Sequence, residues 1–596
     1  MSISVRMMRK RIFIVQSPIS LINFFCIVCF FLLTSIVTSK TTDQKKIPTE
    51  EALVYLRSIQ FVPETEGLSI DTLTMEVTPR KPRTITSTQA VIDVNRLFDL
   101  FRHGYSGHGF FSKKYDFSIV KEELLKDIQI QAQWSPSEFS RLLRRHLDFI
   151  QDIHLKIGRI TYGTHQAFWT IPNLEFQKAE DQWFLIGEDR KELMAVNEKD
   201  PDGYMFPSLN KKGDKIFRIG ILSAVQPEKF SIKLKDRNSM ETLRTLTLNC
   251  SDFNHYSDKI FHEDNIGGIP VIRIRSFTDN RGEDLQRFIK TAEKYQRTPC
   301  IIIDVRGNGG GNERWPSARI ETFSGERPEI NRYFIELVSL TTMMGRFNYF
   351  AWLLHRYPDN EFYQSENDRY LSKAREFENL PPYWTGPYYG SDLIFNDTRV
   401  IVITNGKVAS AGEGFLIYIS QMENVCIVGE NTMGALGFGQ ISYHRLPHSK
   451  LLIRLPISLN VAVDLKFREE KGYSPDFWVP AEYAVDYAVA AVKKGTIPTV
   501  MPLTPEMQDP VFKPENRFIL TGKKILILLA GLVAGFVFVI ANKSRRTVFF
   551  FASAAVCGGL GIIFQIIDSL IVFGIAGYVF WCLVMGTVKV IQNKTK

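Results

Sequence analysis

Two short segments contain residue types and spacings that could perform acyl-transfer chemistry. In IIIDVRGNGGGNER, residues 301–314, a β-branched run leads into a glycine cluster. Glycine tolerates positive φ, so backbone N–H groups in such a turn can point outward together and hold an oxyanion. In VIVITNGKVASAGEGF, residues 400–415, an apolar strand breaks at Asn405-Gly406 and places Ser410 before an apolar, helix-like run. Each segment alone could be an ordinary turn with an N-cap serine, but together they favour a serine hydrolase.

Three motifs follow one another along the chain: Asp304-x-Arg306-x-Asn308-x-Gly310-Gly311, then Ser410-Ala411-x-Glu413, then Gly429-Glu430-x-Thr432-x-Gly434. The ordered set resembles the carboxy-terminal processing (tail-specific) protease family, which includes the tricorn core and the retinoid-binding repeats. The resemblance extends over roughly residues 90–485. It implies an α/β fold with a crotonase-like (ClpP/crotonase-type) peptidase core and an N-terminal helical cap.

The resemblance also separates two serine mechanisms. The tail-specific branch takes a lysine base from a Gly-Lys-Gly turn, where this chain has Gly434-Ala435-Leu436. Gln421 stands where that branch has a supporting aspartate, so a serine–lysine dyad is disfavoured. The tricorn-like branch instead uses a histidine that follows the helical cap and a late glutamate, and His154 and Glu469 match those positions.

The resemblance therefore implies a role for each site residue. Ser410 attacks the carbonyl, His154 transfers the proton, and Glu469 orients or polarises the site. The backbone N–H groups of Gly310 and Ala411 are expected to hold the oxyanion. Asp304, Arg306, Asn308 and Gly311 are expected to shape the glycine turn. His444 and His448 remain alternatives for the base, and Glu470 for the glutamate. No metal-ligand spacing and no cofactor fingerprint is present.

Apolar stretches at both ends of the chain predict membrane attachment. A basic cluster at residues 8–11 precedes the apolar residues 19–37, which form either a signal peptide or an uncleaved anchor. Residues 525–541, 548–567 and 570–588 each approach or reach the roughly 20 apolar residues that cross a bilayer. The basic segments 542–546 and 589–596 are assigned to the cytoplasm by the positive-inside rule. Residues 40–520, with the catalytic domain, are then expected on the extracytoplasmic side, periplasmic or extracellular.

We predict the following organisation: a signal peptide or anchor at 1–39, a linker or peripheral segment at 40–86, a helical cap at 87–170, a β-rich and possibly PDZ-like module at 171–260, a peptidase core at 261–495 with an insertion at 325–395, a linker at 496–522, and a membrane domain of three helices at 523–596. The aromatic-rich insertion could be a lid over the site, or its aromatic residues could fill a small satellite core or touch the membrane.

Composition limits the function further. The chain is 45% hydrophobic and 23% charged, which is typical of globular domains, and its net charge of +9 is dispersed, so nucleic-acid binding is not expected. Cys300 and Cys426 lie in apolar strand patterns and are expected to be buried thiols.

The leading hypothesis is a membrane-anchored peptidase acting on peptides or unfolded protein tails. The alternative is a catalytically silent peptide- or ligand-binding scaffold of the same fold. The C-terminal helices could also contact a membrane protein partner through Gly558, Gly559 and Gly561.

Overall fold

The computed structural model describes residues 49–499, except 64–67, 188–189, 252, 254–258, 329–331, 389–395, 463–464 and 466–467. None of the helices in these ranges combines the length and apolar character needed to cross a membrane. The predicted segment 1–39 and the three predicted C-terminal membrane helices lie outside the described residues. They therefore stay predictions.

The described helices are α1 (Glu50–Ile59), α2 (Ile70–Leu73), α3 (Ser87–Gly104), α4 (His108–Ser112), α5 (Phe117–Ile128), α6 (Pro136–His146), α7 (Gly282–Tyr295), α8 (Arg314–Ser324), α9 (Leu340–Arg356), α10 (Glu361–Phe377), α11 (Ala411–Ile419) and α12 (Ala484–Lys494). The strands are β1 (Ile85–Thr86), β2 (Gln133–Trp134), β3 (Asp152–Ile157), β4 (Ile160–Tyr162), β5 (Ala167–Ala179), β6 (Gln182–Leu185), β7 (Glu192–Val196), β8 (Met205–Leu209), β9 (Lys215–Ser223), β10 (Phe230–Lys235), β11 (Glu241–Leu246), β12 (Phe261–Ile266), β13 (Ile269–Ile274), β14 (Cys300–Asp304), β15 (Tyr333–Val338), β16 (Tyr383–Tyr388), β17 (Arg399–Thr404), β18 (Val425–Gly429), β19 (Phe438–Arg445), β20 (Leu452–Val461) and β21 (Phe477–Trp478).

A six-stranded sheet carries the two motif segments. Its order is β12-β13-β14-β17-β18-β21, and every pair is parallel except β12 with β13. All five residues of β14 are buried, as expected of a strand covered on both faces. Helices α7, α8 and α11 cover one face of the sheet and share one apolar cluster. Helix α12 covers the other face over a second apolar cluster. The predicted α/β class is therefore confirmed.

A second sheet carries the strand that contains His154. Its order is β16-β15-β20-β3-β4, with β19 also paired to β20. The N-terminal helices pack with α9, α10 and this sheet in one large apolar cluster. Strands β15 and β16 and helices α9 and α10 all lie in the predicted insertion, so the insertion extends this sheet. Strands β3 and β4 fall inside the predicted cap but belong to the sheet.

The N-terminal helices agree with the predicted cap in part. Helices α3 and α6 begin at capping boxes, Thr86 with Gln89 and Ser135 with Glu138. The segment predicted as a linker, 40–86, differs from the prediction because it contains α1 and α2. Helix α1 buries Ala52, Leu56 and Ile59 on one face. A helix of ten residues between polar, proline-spaced segments shows too few turns for its period to be evident in sequence.

The β-rich module is a seven-stranded antiparallel sheet in the order β11-β10-β7-β6-β5-β9-β8. Its own apolar cluster includes Phe176, Ile219 and Phe230. Between β5 and β11 the described residues contain one 3-10 turn, at Pro201–Tyr204, and no α-helix. The predicted β-rich character is present, but the helix that flanks the peptide groove of a PDZ module has no counterpart in the described part of this sheet.

Candidate active site

Ser410 lies at a sharp turn between β17 and α11. Its backbone has φ 53° and ψ −121°, which non-glycine residues adopt rarely and at a cost in strain. Two hydrogen bonds join this turn to the glycine turn after β14: Ala409 N–H donates to the Asn308 carbonyl (3.0 Å), and Gly307 N–H donates to Asn405 Oδ1 (3.0 Å). The two motif segments are thus held together, with the serine hydroxyl at the edge of the sheet.

Glu413 holds the serine turn from inside the protein. It is fully buried, and its Oε2 accepts the Ser410 N–H at 2.9 Å. Its Oε1 accepts the Thr432 hydroxyl at 2.5 Å and the Gly434 N–H at 2.8 Å. Burial raises the pKa of Glu413 to about 7. The sequence motifs give Glu413 no separate role, although the Ser410-x-x-Glu413 spacing is that of a capping box and indicates this contact.

His154 and Ser410 form the central contact of the site. His154 Nε2 lies 3.1 Å from Ser410 Oγ, although His154 is on β3 of the second sheet and Ser410 follows β17 of the first. Burial, assisted by the positive charge of Lys156, lowers the pKa of His154 to about 4. The imidazole is therefore neutral at ordinary pH and can accept the serine proton. Its buried Nδ1 has no hydrogen-bond partner in the described part of the chain.

Two buried carboxyl groups, Asp152 and Glu469, lie beside this histidine. Each can place an oxygen within 4.8 Å of an imidazole nitrogen. Asp152 accepts the Tyr105 hydroxyl at 2.9 Å and the His154 N–H at 2.8 Å. Burial raises the pKa of Asp152 and that of Glu469, and the charge of Asp152 raises that of Glu469 further. The two groups consequently do not ionise independently of each other.

Glu469 and its neighbour Glu470 have different surroundings. Glu469 Oε1 accepts the Ile153 N–H at 3.1 Å, and its Oε2 accepts the N–H groups of Leu436 and Gly437 at 3.0 and 2.6 Å. Glu470 accepts the exposed Thr164 hydroxyl. The structure thus brings Glu469 to the site, where it fixes the strand that carries His154.

Asp152, His154 and Glu469 form the group of acidic and imidazole side chains in the described residues that is compact enough to share a metal ion. However, His154 Nε2 faces the serine hydroxyl, and the carboxylate oxygens of both acids accept hydrogen bonds from the protein. This arrangement suits proton transfer better than metal ligation.

The glycine turn is braced by an ionic network. Asp304 is fully buried and binds Arg306 at 2.8 Å and Arg275 at 3.0 Å. Burial opposes ionisation of Asp304, but the two guanidinium groups outweigh it and hold the pKa well below its ordinary value. Asp304 and Arg306 thus have the structural position expected for residues that shape this turn.

The structure differs from the prediction at Gly310. Its N–H donates to Asn308 Oδ1 at 3.0 Å and so is already used. The N–H groups of Gly311 and Ala411 have no partner among the described residues, and both residues line the cleft with Ser410. Gly310 instead provides space, because a Cβ there would lie 2.8 Å from Ala411 N. Sequence could not reveal which N–H the Asn308 side chain binds.

A cleft of about 740 Å³ is lined by His154 and Ser410. Helices α9 and α10 of the insertion supply one wall, including Tyr349, Trp352 and Tyr370. Phe350 and Tyr370 also pack in the apolar cluster under the second sheet. The aromatic residues of the insertion therefore line the cleft and pack in this large cluster, so they do not form the satellite core that was the alternative prediction.

The alternative residues lie elsewhere. His444 is buried in β19, with Nε2 3.4 Å from Ser442 Oγ, and neither it nor His448 lines the cleft.

Cys300 and Cys426 are buried, and burial raises the pKa of each thiol to about 12. Both are thus the buried thiols that the strand pattern predicted.

A strained serine, a neutral histidine in contact with it and open N–H donors beside it are the elements of a serine-type peptidase. Residues 268–320 and 345–479 match the family model described as peptidase family S41. The matched ranges support the resemblance to the carboxy-terminal processing protease family that the motifs indicate. The match is interrupted at 321–344, which overlaps the start of the predicted insertion, and it resumes within the insertion.

Several solved structures are distantly similar to the chain. Mature CPAF is 15% identical, with a TM-score of 0.38, over 69% of this chain and 99% of its own. The photosystem II D1 C-terminal processing protease is 12% identical, with a TM-score of 0.30, over 68% and 96%. The tricorn protease is 13% identical, with a TM-score of 0.31, over 68% and 37%. No curated protein matches the sequence significantly.

Proposed function

We propose that this protein is a membrane-anchored, extracytoplasmic serine peptidase that cleaves peptides or unfolded protein tails with a serine–histidine mechanism. The observation that carries the proposal is the 3.1 Å contact between His154 Nε2 and Ser410 Oγ, formed by a histidine that burial keeps neutral. The mechanism of the tricorn-like branch is favoured over a serine–lysine dyad because no lysine is among the described residues that line the cleft.

The chemistry follows from this geometry. His154 Nε2 accepts the hydroxyl proton while Ser410 Oγ bonds to the substrate carbonyl carbon. The carbonyl oxygen becomes an oxyanion between the N–H groups of Ala411 and Gly311, a contact that strengthens as charge develops. His154 then gives the proton to the leaving amine. Water repeats the same proton transfers to release the acyl group and restore Ser410.

Glu469 supports this sequence by positioning. It binds the Ile153 N–H, next to the base, and the Leu436 and Gly437 N–H groups at the edge of the cleft. In its ionised form, Glu469 would also stabilise the imidazolium that forms in the transition state. Asp152 adds a second carboxyl group on the same side.

The membrane part of the proposal is supported by composition alone. The apolar stretches at 19–37, 525–541, 548–567 and 570–588 and the basic segments beside them favour an anchor with the catalytic domain outside the cytoplasm. A contact of the C-terminal helices with a membrane protein partner is compatible with this topology.

Hydrolysis of a diverse peptide mixture by the full-length protein tests the proposal. Ser410→Ala and His154→Ala should each lower turnover by about 10³-fold or more. His448→Ala is the matched control, because His448 does not line the cleft, and it should retain full activity. If neither the folded native protein nor the Ser410→Ala variant hydrolyses any peptide, the result would favour the catalytically silent binding scaffold instead.

A further inference from the structure

The arginines of the cleft outnumber its acids, and each acid has an arginine of its own. Three acidic residues line the cleft: Asp279, Glu313 and Glu366. They bind Arg314 at 2.8 Å, Arg332 at 2.8 Å and Arg369 at 2.5 Å, respectively. Of the five arginines that line the cleft, Arg332 and Arg369 are in these pairs, whereas Arg281, Arg346 and Arg356 have no acidic group within 4.0 Å in the described residues. The cleft therefore presents surplus positive charge to a substrate.

Arg346 differs from the other two unpaired arginines because its head group is partly enclosed. Its guanidinium lies over the rings of Tyr349, Phe350 and Tyr370 at 5.0 to 5.2 Å. One Nη donates to the Ile441 carbonyl at 2.9 Å, and the buried Nε has no hydrogen-bond partner. Arg281 and Arg356 are exposed to solvent, where water and salt screen them.

This enclosure fixes the guanidinium before any substrate binds. Stacking on three rings and the bond to Ile441 restrict its rotation, so little further entropy is lost when it binds an anion. Glu336 feels the charge of Arg346 but is not within 4.0 Å of it, and burial raises the pKa of Glu336. The charge of Arg346 is thus left without a close counterion at the wall of the cleft, where a planar carboxylate could bind it.

We propose that the cleft selects peptides that carry a carboxylate and that Arg346 binds this group while Ser410 attacks a nearby peptide bond. The carboxylate could belong to an acidic side chain or to the carboxyl terminus, which present the same chemistry. The aromatic residues around Arg346 supply apolar contacts for the flanking substrate atoms. This inference deepens the proposed peptidase function and rests on it.

Binding to the full-length Ser410→Ala protein tests the inference independently of turnover. The probes are fluorescent peptides in matched pairs, with glutamate or glutamine scanned through each position and with a free or amidated carboxyl terminus. We expect at least one acidic peptide to bind about 10-fold or more tightly than its neutral match. A preference in the glutamate series identifies a side chain, and a preference for the free terminus identifies the carboxyl terminus. Equal binding of all matched pairs would overturn the proposal, whether or not the native protein cleaves peptides.

Variants then assign the preference to Arg346. Adding Arg346→Met to Ser410→Ala should abolish the preference and leave binding of the neutral peptides within about threefold, whereas Arg346→Lys should retain part of it. Arg356→Met is the matched control, since it removes an unpaired but exposed cation from the same cleft and should keep the preference. A preference that survives in Arg346→Met and disappears in Arg356→Met would overturn the assignment. If Arg346→Met does not fold, Arg346→Lys is the deciding variant. An Arg346→Lys protein that keeps the full preference for the acidic peptides, with unchanged affinities, would count against Arg346.

Discussion

Replacement of Gly310 by alanine should inactivate the enzyme without touching any reacting side chain. The new Cβ would lie 2.7 Å from the Ala409 carbonyl oxygen, 2.8 Å from Ala411 N and 3.0 Å from Ser410 Cβ. These are backbone and nucleophile atoms, which cannot swing aside as a long side chain could. The methyl group would cover the Ala411 N–H, the donor proposed to hold the oxyanion.

The expected loss has two parts. Gly310 has φ +96°, and an alanine held in the left-handed region costs roughly 1–2 kcal/mol of folding free energy. Overpacking against backbone adds roughly 1–3 kcal/mol to the loss of stability. Removal of one oxyanion donor should lower kcat by about 10²–10³-fold, and displacement of Ser410 can only add to that loss.

The adjacent glycine supplies a matched control. A Cβ at Gly309 would meet no atom within 4 Å, and Gly309 does not have positive φ. Gly309→Ala should therefore keep kcat within about threefold and stability within about 0.5 kcal/mol. Both variants would be compared in urea unfolding and in hydrolysis of a quenched peptide. A folded Gly310→Ala protein with the kcat of the Gly309→Ala protein would refute the assignment of the oxyanion site.

Three further predictions follow from the same contacts. Glu469→Gln should lose about 1–3 kcal/mol of stability in urea and much of kcat, because an amide cannot accept all three backbone N–H groups, whereas Glu470→Gln should change neither. The value of kcat/KM should fall only as the pH approaches the pKa of His154, about 4, because the neutral imidazole is the base and protonation below that pKa removes it. Lys156→Gln should move this fall to higher pH, because the charge of Lys156 helps to lower the pKa of His154. An unmoved pH profile would exclude Lys156 as a cause of the low pKa. Asp304→Asn should cost about 3–5 kcal/mol of stability by leaving buried arginines without their anion, and a smaller loss in urea than that of an exposed Asp→Asn variant would contradict this reading.

The parts of the site that sequence could predict are those encoded by local motifs. Ser410 stands at a strand-to-helix junction that apolar periodicity and the Asn405-Gly406 break reveal. The capping boxes of α3 and α6 are equally local. His154 cannot be assigned from a local motif, because Ser410 is 256 residues away in the chain; the family resemblance suggests the pair, and the structure gives the distance between them.

Side-chain hydrogen bonds and the pairing of distant strands could not be predicted from the sequence. The Asn308 amide could have left the Gly310 N–H free, and only its placement shows that it does not. Likewise, β15 pairs with β20, more than a hundred residues later, so the insertion could not be recognised as part of a sheet. Such contacts depend on the whole fold, whereas propensity and spacing describe neighbouring residues.

The contact between Ser410 and His154 joins two different sheets, so some other set of bonds must fix its length. The turn at residues 434–437 supplies it. Glu413 accepts both the Ser410 N–H and the Gly434 N–H, while Glu469 accepts the Gly437 N–H and the Ile153 N–H beside the histidine. In the serine–lysine branch, the corresponding turn carries the base itself. Here it carries Ala435 and Leu436 and acts through its backbone, so the two glutamates hold Ser410 and His154 in position, and His154 takes the place that the lysine has in that branch.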